Sequence, residues 1–288
     1  MNSPGDFPGC RPDTITSRRA AVERAITAMT ETLDSPISLE ALARRSWVST
    51  SHLDHVFRQF TGSSPRKFMG ALRLQKAKRL LLTTRSKVID TCLEVGFSSV
   101  GTFSHRFAEL VGVPPLQLRK LAKCRFLEHI DGLKSPVATL QKDPQNGVSG
   151  ELVGPASFYG PIFIGLFTTP IPQGHPAACV AMRQPGVFAI PNVPDGEYYG
   201  FGVAFPVSDN PLTYFDNDAA LRAFSNPKVI RVEQGRCVAD LSFELRPPDL
   251  TDPPILIAIP ALLAAHGPVK AKRAIWKKKE NRGAVTVS

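Results

Sequence analysis

The chain has 288 residues, 43% of them hydrophobic, and 35 Lys and Arg against 25 Asp and Glu, a formal net charge of +10. That length fits two domains, and that hydrophobic fraction gives each enough material for a packed core, which excludes a wholly disordered chain. The most apolar run, PPILIAIPALLAA at 253–265, is interrupted by Pro260 and is too short to cross a bilayer, so no membrane span is expected.

The first residues, MNSPGDFPGCRPD, hold no apolar core, so no signal peptide is expected, and residues 1–16 read as a disordered N-terminus. Cys10, Cys92, Cys124, Cys179 and Cys237 are irregularly spaced with no CxxC pair, so neither a disulfide framework nor a zinc site is expected. A reducing cytoplasm is the simple reading. The charge is uneven. Residues 17–125 hold 19 basic and 8 acidic side chains, residues 130–265 hold 8 and 13, and residues 266–288 hold 7 and 1. A basic first domain and a basic tail point to an anionic partner, nucleic acid before others.

Residues 17–125 show helical periodicity and say nearly the same thing twice. ISLEALARRSWVSTSHLDHVFRQFTGSSP (37–65) sets over KVIDTCLEVGFSSVGTFSHRFAELVGVPP (87–115). Ala43 falls on Cys92 and Ser49 on Ser98, an offset of 49; Phe57 falls on Phe107, Gly62 on Gly112 and Pro65 on Pro115, an offset of 50. Each copy predicts a short helix, a turn of about three residues, a serine cap (Ser49, Ser98) and a second helix that stops at glycine. This is helix-turn-helix architecture, over about 38–62 and 87–112.

The stripes orient the second helices. Leu53, Val56, Phe57 and Phe60 share one face of the first, which puts Ser51, His55 and Arg58 on the other. In the second copy Phe103, Phe107 and Leu110 face inward, while Gly101, His105 and Ala108 face out with Thr102 and Glu109 beside them. Gly101 costs about 1 kcal/mol of helix propensity there. Cys92 and Trp47 read as packing residues. Between the copies RKFMGALRLQKAKRLLLTTR, 66–85, predicts a connecting helix of about 18 residues, roughly 27 Å long, which carries Arg66, Lys67, Arg73, Lys76, Lys78 and Arg79.

SLEALARRSWVSTSHLDHVFRQFTGSSPRKF, RLQKAKRLLLTT and EVGFSSVGTFSHRFAELVGVPPLQLRK, in that order over about 20–120, resemble the DNA-binding region of AraC/XylS-type bacterial transcriptional regulators. The resemblance implies two recognition helices in adjacent major-groove segments of double-stranded DNA, a cytoplasmic, nucleoid-associated location, and RNA polymerase as a further partner. Carried over by position, it implies base-facing roles for Ser51, Asp54 and His55, and for Val100, Gly101, Thr102 and His105. The outward faces read from the helical stripes include Ser51, His55, Gly101 and His105 independently. Arg44, Arg45, Arg58, Lys67, Lys87 and Arg106 are the phosphate-facing candidates. No arginine centres either outward face, so modest base readout is expected, with much of the affinity from phosphates and DNA shape.

Residues 126–146 read as a linker and 147–265 as a β domain of about seven short strands: VSGELVG, PIFIGLF, CVAMRQ, GVFAIPNV, GEYYGFGVAF, KVIRVEQ and RCVADLSFEL. The fold class is therefore multidomain, α then β. An all-α double helix-turn-helix unit precedes an Ig-like or prealbumin-like antiparallel β-sandwich. QPGVFAIPNVPDGEYYGFGVAF resembles carboxypeptidase-regulatory-like and collagen-adhesin B-type sandwich modules, in which a strand ends in a turn of this kind. Of Tyr198 and Tyr199, one is expected to face the core. Interaction or homodimerisation is favoured over ligand sensing for this domain, because small sandwiches fill themselves. The run 253–265 is expected to pack on its own domain, and the basic tail 266–288 to be disordered and to add non-specific DNA attraction.

The leading function is a sequence-specific DNA-binding transcription regulator; the alternative is an interaction or scaffold module with little specific DNA binding. Asp195, Glu197 and His175 show no nucleophile, paired-acid or metal spacing, so no catalytic residue, metal or cofactor is expected. His52 and His55 lack a third ligand by spacing.

Overall fold

The computed structural model describes residues 12–123, 147–215, 220–225, 229–237 and 241–259. The expected linker at 126–146, the tail at 266–288, Cys10 and Cys124 lie outside them.

Among the described residues the N-terminal domain has seven helices: α1 (Pro12–Glu31), α2 (Leu39–Arg45), α3 (Thr50–Thr61), α4 (Pro65–Thr83), α5 (Val88–Glu94), α6 (Val100–Val111) and α7 (Pro115–Lys123). Helix α1 begins at Pro12, inside the stretch expected to be disordered, because Val22, Ala25, Ile26 and Met29 give it a buried stripe against α2 and α3. Two cores form. The first joins α1, α2 and α3 to Phe68 and Met69 at the start of α4. The second joins α5, α6 and α7 to Ala71, Leu74, Ala77 and Leu81 further along it. Helix α4 thus belongs to both units. Ser64 caps it, its hydroxyl accepting from Lys67 N–H at 3.4 Å, and Pro65 occupies the first turn, where no N–H is missed.

Among the described residues the second domain has nine strands: β1 (Gly147–Val153), β2 (Ile162–Phe167), β3 (Ala178–Met182), β4 (Gly186–Pro191), β5 (Gly196–Ala204), β6 (Leu221–Phe224), β7 (Ile230–Glu233), β8 (Arg236–Cys237) and β9 (Leu241–Glu244). Two sheets share β5. Its start, Gly196–Tyr198, pairs with β7, and its remainder pairs with β2 and β6. β3 extends the second sheet beside β2. β4 and β9 flank β1 in the first. Val148, Leu152, Phe188 and Phe243 of one sheet meet Ile162, Ile164 and Leu166 of the other in one core. Three features differ from the expected all-antiparallel arrangement of seven strands. β1 pairs in parallel with β9 and β8, the expected strand RCVADLSFEL is two strands, β8 and β9, and β6 is an additional strand. LRAF is too short to show alternation, and its Arg222 is buried where it bridges to Arg246. Tyr198 is the core-facing tyrosine of the pair, and Tyr199 lies half-buried on the outer face of the second sheet.

The run 253–259 departs furthest from expectation. It does not pack on its own domain alone. Ile255, Ile257 and Ile259 join the outer face of the second sheet, while Leu256 and Ala258 enter the core of the second helical unit. This strap is apolar on both faces, and both are covered. Its backbone is anchored on each side: Leu256 N–H donates to Pro172 O at 3.0 Å, and Ala258 N–H donates to Val111 O at 3.0 Å. Lys78 of α4, only 3% exposed, donates its ammonium to Ile255 O at 2.9 Å. A lysine of the connecting helix is therefore spent on an interdomain bond.

A second tie links α1 to the chain before the strap, where Arg19 forms an ion pair with Asp249. Burial alone would raise the pKa of Asp249. Hydrogen bonds from Thr251 and the Arg19 guanidinium outweigh it and hold the carboxyl below its ordinary value. A depressed carboxyl pKa contributes stability that is present above the unfolded value and lost as pH falls through the folded one. Thermal unfolding is therefore expected to show domain coupling weakening below about pH 4. Asp249→Asn should flatten that part of the acid dependence, and an unaltered profile would exclude the ion pair as its source.

Candidate nucleic-acid interface

In each unit a short helix leads through a tight turn into a capped second helix. Ser38 caps α2, accepting from Ala41 N–H at 3.2 Å, and Ser49 caps α3, accepting from His52 N–H at 3.3 Å. In the second unit Ser99, not Ser98, caps α6, accepting from Thr102 N–H at 3.3 Å. The inserted residue therefore lies in the turn, and from the cap onward the two units run at one offset, Ser49 on Ser99, Ser51 on Gly101 and His55 on His105. Gly62 and Gly112 close α3 and α6 in the left-handed conformation, with φ of 70° and 89°.

Leu53, Val56 and Phe57 of α3 and Phe103, Phe107 and Val111 of α6 are buried. Against those inner faces Ser51, His55, Gly101, Thr102 and His105 are exposed, His105 with 82% of its side chain free. Asp54 is half-buried and accepts from Arg58 Nε at 2.8 Å, so α3 presents an ion pair rather than a bare carboxylate. His105 Nδ1 lies 4.0 Å from Glu109 Oε2. Val100 departs from its expected base-facing place. It continues the stripe of Phe103 and Phe107 at i+3 and i+7, and packs half-buried against their core. A Cβ built at Gly101 would meet only Ser99 Oγ, at 3.8 Å. Among the described residues nothing requires glycine there.

The phosphate-facing candidates Arg44, Arg45, Arg58, Lys67, Lys87 and Arg106 are all exposed. Two are already engaged: Arg58 with Asp54, and Arg45 with Glu31 at 3.5 Å. Arg73 has another role. Its guanidinium donates to Ser35 O of the first unit at 2.8 Å and to Gly96 O of the second at 3.3 Å. Burial lowers its pKa. Gly96, at φ 75°, fits against the first unit so closely that a Cβ would stand 2.8 Å from Leu33 O. Arg73 and Gly96 thus hold the two units in one relative placement.

Trp47 was expected to pack. It is 80% exposed, at φ 60°, in the turn between α2 and α3, with the Arg24 guanidinium 4.8 Å over its ring. The signal was present in the repeat, which sets Trp47 on Gly96 and so marks a position of positive φ, unusual for a bulky residue. In the β domain, Asp195 accepts from Gln234 and Gly235 N–H at 3.1 and 2.8 Å, and Glu197 accepts from Arg231 Nε at 3.0 Å. Both are structural partners of a hairpin. Among the described residues no three His, Cys, Asp or Glu side chains gather as a metal site.

Residues 42–121 match the helix-turn-helix domain family. The chain is 28% identical over 103 residues to the HTH-type transcriptional regulator ArgR of Pseudomonas aeruginosa, covering 36% of this chain and 31% of that protein. It is 31% identical over 99 residues to the HTH-type transcriptional regulator GbdR of the same species, covering 34% and 27%. A solved structure of an AraC-type DNA-binding-domain-containing transcriptional regulator from Chromobacterium violaceum aligns at 28% identity with a TM-score of 0.35, covering 36% of this chain and 94% of that one. The chain thus spans about a third of the length of the curated relatives it matches. Residues 42–121 are a helix-turn-helix domain.

Proposed function

We propose that the chain is a sequence-specific transcription regulator that lays α3 and α6 into adjacent major-groove segments of one DNA face. The observation that carries this reading is the pair of capped helices, each fixed by its own core and each turning a small polar face outward. At 19 residues α4 is about 28 Å long, suited to the roughly 34 Å between successive turns of one groove. Ser51, His55, Thr102 and His105 are the base readers, with the Asp54–Arg58 pair beside them. Arg44, Lys67, Lys87 and Arg106 are the phosphate contacts, and a cytoplasmic location follows from that role.

DNA footprinting with fragments selected from a random pool tests it. Protection of two neighbouring major-groove segments is expected, with affinity falling steeply as salt rises. His105→Ala should lower specific binding more than non-specific binding. Gly101→Ala should stabilise the fold by up to about 1 kcal/mol while weakening specific binding, because it places a methyl group on the reading face. Equal losses on both DNAs would remove His105 from the reading face, and no protection at all would favour the interaction-module reading.

For the β domain the finer reading is a sandwich of the carboxypeptidase-regulatory-like or collagen-adhesin B-type kind. Its support is the turn Asn192–Gly196 between β4 and β5, where the Tyr198 hydroxyl donates back to Pro194 O at 2.9 Å. Its role is sensing in cis rather than dimerisation. The apolar strap that the sequence offers for association is buried against the chain's own second helical unit, which supports this choice.

A further inference from the structure

The loop between β2 and β3 is built onto the end of the second recognition helix. Ile171 enters the helical core, and Pro172 O accepts from Leu256 N–H of the strap at 3.0 Å. The last carbonyls of a helix have no partner within it. Here Leu110 O accepts from Gly174 N–H at 2.6 Å, and Val111 O accepts from Ala258 N–H. Gly174, at φ 68°, lets the loop come this close, since a Cβ there would stand 3.2 Å from Glu109 O. His175 follows. A Cβ at Gly112, the residue that closes α6, would stand 3.8 Å from its Cε1. His175 is exposed, and among the described residues its imidazole has no hydrogen-bond partner.

This loop sits at the far end of the reading face. Gly101, His105, Ala108 and Gly112 follow one another at four, three and four residues, the spacing of one helix face. Gly112 lies about 10 Å along the axis beyond His105. Helix α6 has 12 residues, which makes it about 18 Å long, and a major groove is about 12 Å wide. With Thr102 and His105 at the base edges, the last turn of α6 arrives at the rim of the groove, where the phosphates stand.

Charge agrees with that placement. Residues 130–265 hold 13 acidic side chains against 8 basic, an excess that DNA repels, yet residues 152–194 hold no Asp or Glu. The run from β2 through β4, which includes the loop, therefore brings no carboxylate of its own to the end of α6. Glu109, in the last turn of α6, has its Oε2 4.0 Å from His105 Nδ1.

We propose that His175 is a DNA contact supplied by the β domain, its imidazole N–H donating to a phosphodiester oxygen at the rim of the groove segment that α6 reads. Such a contact carries no sequence information and fixes the position of α6 on the duplex. It rests on the function proposed above.

Phosphate ethylation interference on a DNA fragment selected from a random pool, with the full chain, tests it. Ethylation of one phosphate bordering the α6 segment should block binding of the wild type and lose that effect in His175→Ala. The same change should weaken binding roughly two- to tenfold, on specific and non-specific DNA alike. His175→Lys should restore both the interference and the affinity, and His175→Glu should bind more weakly than His175→Ala. All three variants should keep the wild-type Tm. With the two-segment footprint intact, an unchanged interference pattern in His175→Ala, or wild-type affinity in His175→Glu, overturns this contact alone. A lowered Tm in His175→Ala, with interference lost across the whole α6 segment, makes His175 a support of the fold and overturns the contact as well. A wild-type chain that leaves no footprint overturns the proposed function together with the contact.

Discussion

Phe107→Ala is expected to remove about 3–5 kcal/mol from the second helical unit and to halve the DNA footprint. Phe107 is fully buried, with its ring 5.5 Å from Phe103, which packs edge-on to Phe97 at 5.3 Å. This cluster ties α6 to the turn before it. Its loss leaves a cavity that the rigid ends of α4 and α7 cannot close. The first unit has its own core around Leu53, Val56 and Phe57, with Phe57 packed edge-on to Phe68 at 5.2 Å. It should keep its groove segment when the second segment is lost. Urea unfolding followed by circular dichroism, together with footprinting, checks both halves. A two-segment footprint with an unchanged midpoint would show that α6 does not depend on this cluster.

Leu256→Ala is expected to cost about 2–5 kcal/mol and to act mainly on the joint between the domains. Leu256 is fully buried in the helical core, although it belongs to the β domain by sequence. Truncating it removes apolar contact from the strap and exposes two sets of hydrogen bonds to water. These are the bonds at the end of α6 and the Lys78 ammonium to Ile255 O. Loss of the Lys78 bond to Ile255 O weakens the tie between α4 and the strap. Limited proteolysis should then cut between the domains while each keeps its secondary structure. Hydrogen exchange at Ala258 should accelerate in step. A uniform loss of stability, with no gain in cleavage, would mean that the two domains unfold as one unit.

Much of the candidate interface was legible in the sequence because its determinants are local. A serine cap, an i, i+3, i+4 stripe and a terminal glycine each act within one or two turns of helix. Repetition at a nearly constant offset then made coincidence implausible. The errors were of register. Ser98 and Ser99 are adjacent and chemically equal as caps, and only the helix start distinguishes them. Val100 follows directly on the cap, where the helical phase is least defined by sequence. Arg73 and Lys78 read as surface cations, since a charge pattern does not reveal which carbonyl oxygens lie opposite. The β domain was less legible. LRAF is too short to carry a period, and the parallel pairing of β1 with β9 depends on residues about 90 positions apart.

Two capped helix-turn-helix units on a shared connecting helix, and a second domain of short strands, follow from local sequence alone. Hydrogen bonds and packing between near neighbours suffice for that. What covers ILIAI at 255–259 depends on long-range packing. A segment apolar on both faces satisfies burial equally well against its own sheet, a second chain or another domain. The choice belongs to the surfaces that meet it: the aromatic face of Phe163, Phe167 and Phe201 on one side, and the open carbonyls at the end of α6 with the core around Leu256 on the other.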